Sequence, residues 1–156
     1  MIGLGSNLGD RALHIEQGIG ALRRTPGIVV MGCSPLYETP PFGGPPQGDY
    51  LNGAVLIEGR ISPRQLLETV LLIEKGLGRI RPDPVRWGPR TLDMDVLWIE
   101  GMVLEEPGLV VPHPRLRERP FALRPLLDLV VNAVDPVSGD LYSSMAAARA
   151  PIARWP

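Results

Sequence analysis

The chain contains one cysteine, Cys33, which excludes an internal disulfide and makes a reducing compartment the simple reading. Lysine is almost as scarce: Lys75 is the only one, so arginine carries nearly all the positive charge, a bias that fits either genome composition or a hot habitat. Neither sign of charge dominates. A net charge of −1 provides no global positive field for nucleic acid, so any phosphate binding has to come from a local cluster. No apolar run approaches membrane-spanning length, and no charged leader precedes an apolar stretch at Met1-Ile2-Gly3. The expectation is a soluble, cytoplasmic protein with no nucleic-acid or membrane partner. Internal repeats and coiled-coil heptads are missing as well.

What remains is an ordinary globular composition, with 156 residues and 44% hydrophobic content predicting one domain over 1–156 that buries a real core. The 18 glycines and 18 prolines lie between periodic apolar segments, so they read as turns and loop stiffeners and not as a disordered tract. Ile2 and Leu4 predict a short strand that breaks at Gly5-Ser6-Asn7. A helix capped by Asp10 follows, with Leu8, Ala12, Ile15, Ile19 and Leu22 on its packed face and Arg11, Glu16 and Arg23 in solvent. Ile28 to Met31 and Leu36 to Thr39 are predicted as extended, and Tyr50 to Ile57 as a strand returning from the loop 43–48. Ser62-Pro63-x-Gln65 has the form of a capping box opening a second helix, with Leu66, Leu67, Val70, Leu71, Ile73 and Leu77 on its apolar face. Glu74 flanks that face and needs a cationic partner, for which Arg79 and Arg81 are placed.

Gly78 ends this helix, a stiff loop runs from Arg81 to Val85, and a strand is predicted over Asp93 to Ile99. Beyond Pro112-His113-Pro114, Leu116 to Leu127 predicts a helix interrupted near Pro120 and Pro125, and a weaker helix follows Gly139. The order βαββαβ with a helical tail predicts an α+β, ferredoxin-like sandwich with a mainly antiparallel sheet and additional C-terminal helices.

The most informative stretch is Arg86 to Leu97, where a basic turn runs into a strand bearing two carboxylates two positions apart. Alternation points Asp93 and Asp95 to one side and Met94 and Val96 to the other. Closely spaced oxygens suit a hard cation such as magnesium, while Arg86 and Arg90 carry guanidinium forks suited to phosphate. A metal-nucleotide complex is the ligand this combination suggests, with Arg79, Arg81, Arg90, His113 and Arg119 offsetting charge on a transferred group. Other chemistries fit poorly. Gly3-x-Gly5-x-x-Leu8-Gly9 lacks both common phosphate-loop fingerprints, no nucleophile elbow is present, and Cys33 lies in an apolar run. His14 falls on a helix surface, whereas His113 sits between prolines just ahead of Arg115, Arg117 and Arg119.

Six spaced blocks carry a family resemblance: Gly3-Leu4-Gly5-Ser6-Asn7-Leu8-Gly9-Asp10-Arg11; Tyr37-Glu38-Thr39-Pro40-Pro41; Asp49-Tyr50-Leu51-Asn52; Ile73-Glu74-x-x-Leu77-Gly78-Arg79-x-Arg81; Arg86 to Leu97; and Pro112-His113-Pro114-Arg115-Leu116-x-Glu118-Arg119-x-Phe121. In these the chain resembles the 6-hydroxymethyl-7,8-dihydropterin pyrophosphokinases of folate biosynthesis. The resemblance implies transfer of the β,γ-pyrophosphoryl group of ATP to the pterin hydroxymethyl oxygen, with release of AMP. It implies two magnesium ions on Asp93 and Asp95, with Arg79 and Arg90 sharing the catalytic work. ATP would be met by Arg79, Arg81, Trp87, Arg90, His113 and Arg119. The pterin would lie between Tyr50 and Phe121, its polar edge read by Asn52 and by Thr39, Pro40 and Phe42, under a lid carrying Trp87. Gly108 and Val110 leave adenine recognition largely to backbone. ATP and the pterin are the expected partners of a monomer. Two other readings stay open on the residues alone: a ferredoxin-like module that binds nucleotide or nucleic acid without chemistry, and a magnesium-dependent phosphohydrolase.

Overall fold

A computed structural model describes residues 1–81, 85 and 87–156. Pro82, Asp83, Pro84 and Arg86 lie outside the described residues, and with them most of the predicted 81–85 loop and the expected role of Arg86. The main sheet is built on β4 (Tyr50–Gly59), the longest strand, flanked on one side by β1 (Ile2–Ser6) and then β5 (Asp93–Val96). Its other side pairs with two strands in turn: β2 (Ile28–Cys33) along its second half and β3 (Tyr37–Thr39) along its first. β2 and β3 therefore act as one strand broken near Pro35, which gives the predicted βαββαβ order. Every ladder of the sheet is antiparallel. A two-residue strand, β8 (Ala153–Arg154), adds to the outside of β3. A small separate hairpin, β6 (Leu104–Glu106) and β7 (Leu109–Val111), was not foreseen from the sequence. Among the described residues no helix is long and apolar enough to cross a membrane.

Helices α1 (Arg11–Arg23) and α2 (Pro63–Gly76) cover one face of the sheet. Both start where local chemistry predicts: the Asp10 carboxylate accepts from the Leu13 N–H at 3.0 Å, and Ser62 and Gln65 form a complete capping box. Ile15 and Leu22 of α1 and Leu66 and Val70 of α2 pack on Ile2, Leu4, Leu51, Val55, Met94 and Val96 from the strands. The expected α1 face is corrected at its first turn. Leu8 precedes the helix and is exposed, Ala12 is exposed, and Gly18 is buried against Leu92 in their place. Arg11 is corrected too, because it is engaged by Glu38 and the Asp49 carbonyl and does not stand free in solvent.

The opposite face of the sheet is covered only in part, by α3 (Pro120–Leu129), whose Leu123 and Leu126 pack on Ala54, Leu97 and Trp98. Pro120 occupies the first turn of α3, where its missing N–H costs nothing, and Pro125 lies inside the helix without ending it. The interruption predicted at Pro120 is therefore a helix start, preceded by a 3₁₀ turn at Leu116–Glu118. The segment after Gly139 forms two 3₁₀ turns, Tyr142–Ser144 and Ala146–Arg149, and no α-helix. β5 stops at Val96, short of the predicted Ile99, although Leu97 still donates to the Met1 carbonyl at 3.0 Å.

The short strand β3 is held to α3 by Tyr37, which is buried and donates its hydroxyl to Asp128 at 2.5 Å. Tyr37→Phe is expected to cost about 1 kcal/mol of stability, the net worth of one hydrogen bond, because Asp128 can still meet Arg124. Leu126→Ala, which opens a cavity under the same helix, should cost about 3 kcal/mol. Urea unfolding of both variants checks the ranking; a Tyr37→Phe loss as large as that of Leu126→Ala would contradict it.

Candidate active site

Strand alternation builds the floor of a cleft on the side of the sheet that α3 leaves open. Asn52 of β4 pairs with Gly5 of β1, Gly5 pairs with Asp93 of β5, and Gly3 pairs with Asp95, so these residues form rows across three strands on one face. Gly5 keeps the floor low: a Cβ there would sit 3.2 Å from Asn52 Oδ1 and 3.5 Å from Tyr50 Cδ1. The cleft is half open, and its roughly 860 Å³ of space takes in solvent at the mouth. Thr39, Pro40, Phe42, Tyr50, Asn52 and Phe121 line one end, Arg90, Asp93, Asp95, Arg115 and Arg119 the other, and Trp87 also contributes to the wall.

At the aromatic end, Asn52 donates to Thr39 Oγ1 at 2.9 Å, which fixes the amide and leaves its oxygen beside the glycine floor. The Phe42 and Phe121 rings approach to 6.1 Å between centroids at 58°. At the polar end the two carboxylates sit in unlike surroundings. Burial would raise the Asp93 carboxyl, but Arg79 and Arg90 outweigh it and hold the group below the ordinary carboxylate range. Arg79 meets one Asp93 oxygen, and Arg90 Nη1 lies 3.1 Å from the other. Among the described residues Asp95 has no comparable partner: Arg119 Nη1 is 3.9 Å from Oδ2. The surrounding protein and then the charge of Asp93 push Asp95 up to about 6, although its side chain stays 42% exposed.

Behind the floor, Glu74 of α2 is fully buried and accepts from four groups: Arg79 at 3.2 Å, Arg81 Nε and Nη2 at 3.0 and 2.6 Å, and the Met94 N–H at 2.7 Å. The predicted pairing of Glu74 with Arg79 and Arg81 is present. Burial still biases the Glu74 carboxyl upward, against Arg81, the Met94 amide and Arg79. The same pairing takes Arg79 and Arg81 away from the cleft wall. Arg79 meets the cleft lining through Asp93, and Arg81 lies beside Leu71 and Leu72 of α2. His113 is also set back from the wall. Its Nδ1 accepts from the Arg115 N–H at 3.1 Å, which leaves the proton on Nε2; burial and then Arg119 pull its pKa down to about 4, so the ring is neutral at pH 7.

Three cleft elements were not singled out from the sequence. Asn7, just past β1, donates to Gln47 Oε1 at 2.8 Å and to the Gly48 carbonyl at 3.1 Å, while its Oδ1 accepts from the Arg90 N–H at 2.9 Å. Gln47 in turn donates to the Trp87 carbonyl at 2.8 Å, so one amide pair joins the loop 43–48 to the Trp87 loop. Arg115 lies over the Trp87 ring, 6.0 Å from its centroid. Asn7 had a signal, an amide in the strand-ending Gly-Ser-Asn turn. Gln47 had none, because its partners are set only by the folded loops.

Magnesium fits this polar end. Among the described residues no three or more histidine, cysteine or acidic side chains gather around one point. A magnesium ion needs no such cage, since it keeps several waters and binds through one or two carboxylates together with substrate phosphates. The mutual crowding of Asp93 and Asp95 is the charge such an ion would relieve.

The cleft thus carries an acidic pair and arginines at one end and aromatic rings with a fixed amide at the other, on an antiparallel α+β scaffold. The family model for 7,8-dihydro-6-hydroxymethylpterin-pyrophosphokinase (HPPK) matches residues 1–131, and the chain belongs to that family. It is 43% identical over 139 residues to the 2-amino-4-hydroxy-6-hydroxymethyldihydropteridine pyrophosphokinase of Synechocystis sp., covering 89% of this chain and 70% of the relative. Proteins of the same name from Methylorubrum extorquens and Bacillus subtilis are 45% identical over 133 residues and 44% over 128. These alignments cover 85% and 82% of this chain, and 83% and 75% of the relatives.

The raised Asp95 carboxyl has a consequence for stability. The folded chain holds this proton more tightly than the unfolded one, so the contribution is full below pH 3.8 and is lost as pH rises through about 6. Asp95→Asn removes that loss. In metal-free buffer at pH 7 the variant should exceed the parent by about 1 kcal/mol, a figure discounted for the exposure of the group. The gain should vanish near pH 3.8. Urea unfolding at the two pH values checks this, and an equal gain at both would show that the carboxylate is not under strain.

Proposed function

We infer that this chain transfers the pyrophosphoryl group of ATP to 6-hydroxymethyl-7,8-dihydropterin, giving the pterin diphosphate and AMP. The observation that carries the assignment of residues is the cross-strand row Asn52–Gly5–Asp93, which puts an aromatic, amide-bearing half-site and an acidic, arginine-rich half-site on one continuous floor. The pterin is a flat, nitrogen-rich heterocycle whose faces stack and whose edge carries hydrogen-bond donors and acceptors. Tyr50, Phe42 and Phe121 supply stacking surface, and Asn52, Thr39 and the backbone at Pro40 read the edge. A pocket that hydrogen-bonds an edge rejects rings lacking it, because its own polar groups would be left unpaired.

The triphosphate belongs at the other half. Arg90, Arg115 and Arg119 line the cleft, Arg115 over the Trp87 ring, and His113 offers a neutral N–H donor. Asp93 and Asp95 would hold magnesium, two ions by the family resemblance, which when bound neutralises phosphate charge and aligns the β-phosphorus. The pterin oxygen forms a bond to that phosphorus, the bridge to the α-phosphate breaks, AMP carries the electron pair away, and the hydroxyl proton goes to solvent. Arginines held beside the phosphates stabilise charge as it shifts onto the leaving oxygen. Arg79 works through Asp93 by fixing that carboxylate. Trp87, on a loop tied to Gln47, shields the group in transit from water. The adenine is left to the neighbourhood of the β6–β7 hairpin, where Gly108 and Val110 offer backbone and no polar side chain.

Product analysis tests the assignment. With ATP, magnesium and the reduced hydroxymethylpterin, AMP should form only when the pterin is present. ADP, free pyrophosphate or no turnover would overturn it. Asp95→Ala is expected to lower turnover by about a thousandfold or more while leaving the fold intact, since it removes half of the acidic pair. Full activity in that variant would refute the role of Asp95.

A further inference from the structure

Residues 132–156 lie beyond the part matched by the family model, yet their last described strand returns to the cleft's own sheet. β8 pairs with β3, setting Arg154 opposite Tyr37 and Ala153 opposite Glu38, and the Trp155 N–H donates to the Leu36 carbonyl at 2.8 Å. β3 is only three residues long and carries Thr39, the partner of Asn52, so strands on both sides are needed to hold it straight. On the helix side of the sheet, the Arg11 guanidinium meets three elements at once. Nη2 lies 2.7 Å from Glu38 Oε1 on β3, and Nη1 donates at 2.8 Å to the carbonyl of Asp49, the residue before Tyr50. Its Cζ stands 5.0 Å from the Trp155 ring centroid. Neither Arg11 nor Trp155 lines the cleft.

We propose that Arg11 and Trp155 form a brace that sets the pterin-reading half of the cleft, making both of them positioning residues for the acceptor. A guanidinium suits the task because its edge donates to two oxygens while its face stacks on an indole. The ammonium of a lysine has no such face. Sheet order makes the effect one-sided: β5, with Asp93 and Asp95, is separated from β3 by β1 and β4. Loss of the brace therefore shifts Thr39 and Tyr50 and leaves the triphosphate half in place. Small displacements of groups that must match a rigid ring are costly in affinity.

The inference rests on the proposed pterin reaction. Its test uses the full chain and four variants, Arg11→Ala, Arg11→Lys, Trp155→Ala and Trp155→Phe, with KM for the pterin, KM for ATP, kcat and melting temperature measured on each. Arg11→Ala and Trp155→Ala should raise the pterin KM roughly tenfold with the ATP KM changed less than about twofold. Arg11→Lys should resemble Arg11→Ala, and Trp155→Phe, which keeps an aromatic face, should recover most of the loss. A rise in both KM values together, an unchanged pterin KM with only a lower melting temperature, or a Trp155→Phe variant no better than Trp155→Ala would overturn the brace. Failure of the underlying reading is separate, since the unmodified chain would then release no AMP in response to the pterin.

Discussion

A carboxylate with no exposed surface cannot stand alone in a protein interior, and Glu74 is such a group. Its solution organises the polar end of the molecule. Glu74 accepts the outward N–H of Met94, since among the described residues β5 is the edge strand of the sheet. It also draws in Arg79, and Arg79 reaches on to Asp93. One buried acid on α2 thereby closes the sheet edge and aims the first of the two carboxylates that the proposed chemistry requires.

The consequence is that Asp93 and Asp95, two residues apart on the same strand face, are not equivalent. Asp93 is neutralised from behind by arginines and stays ionised, whereas Asp95, among the described residues, meets a more distant Arg119 and feels the charge beside it. Pairs of like groups pushed apart by their surroundings are typical of sites that handle charge. The structural cost sits where a cation would be welcome, and the core beneath, Met94 and Val96 against α2, is ordinary apolar packing.

The parts of this arrangement legible in the sequence are those decided locally. Asp10, the Ser62–Gln65 box and Gly78 mark helix ends through hydrogen bonds a few residues long. Alternation alone aims Asp93 and Asp95, and the need of Glu74 for cations follows from its position on an apolar helix face. The failures are non-local. Gly18 adds nothing to a hydrophobic count, yet its missing side chain lets Leu92 seat against α1, so the packed face was drawn one turn too early. Arg11 read as a solvated helix residue because Glu38, Asp49 and Trp155 are brought to it only by the sheet. Arg79 and Arg81, read both as partners of Glu74 and as phosphate ligands, are paired with Glu74 in the fold. The Asn7–Gln47–Trp87 connection joins three loops, and no spacing rule encodes it.

The cleft arginines therefore do not wait as bare cations. Arg90 rests on Asp93, with its backbone held by Asn7, and Arg119 stands between Asp95 and the face of Phe121, 5.6 Å from the ring centroid. On the proposed function, a metal-bound triphosphate entering this cleft supplies a cation to the carboxylates and anions to the arginines together. Each side exchanges one charged partner for another, so neither is left buried and unpaired on the way. Such an exchange avoids the several kcal/mol that leaving a lone charge buried and unpaired would cost, and it explains how opposite charges can be packed tightly in the free protein without blocking the ligand they suit. It also makes either ligand component alone a poor fit: phosphate without metal would leave Asp93 and Asp95 facing further negative charge. The pairing seen within the protein is in this sense a template for the pairing expected with substrate.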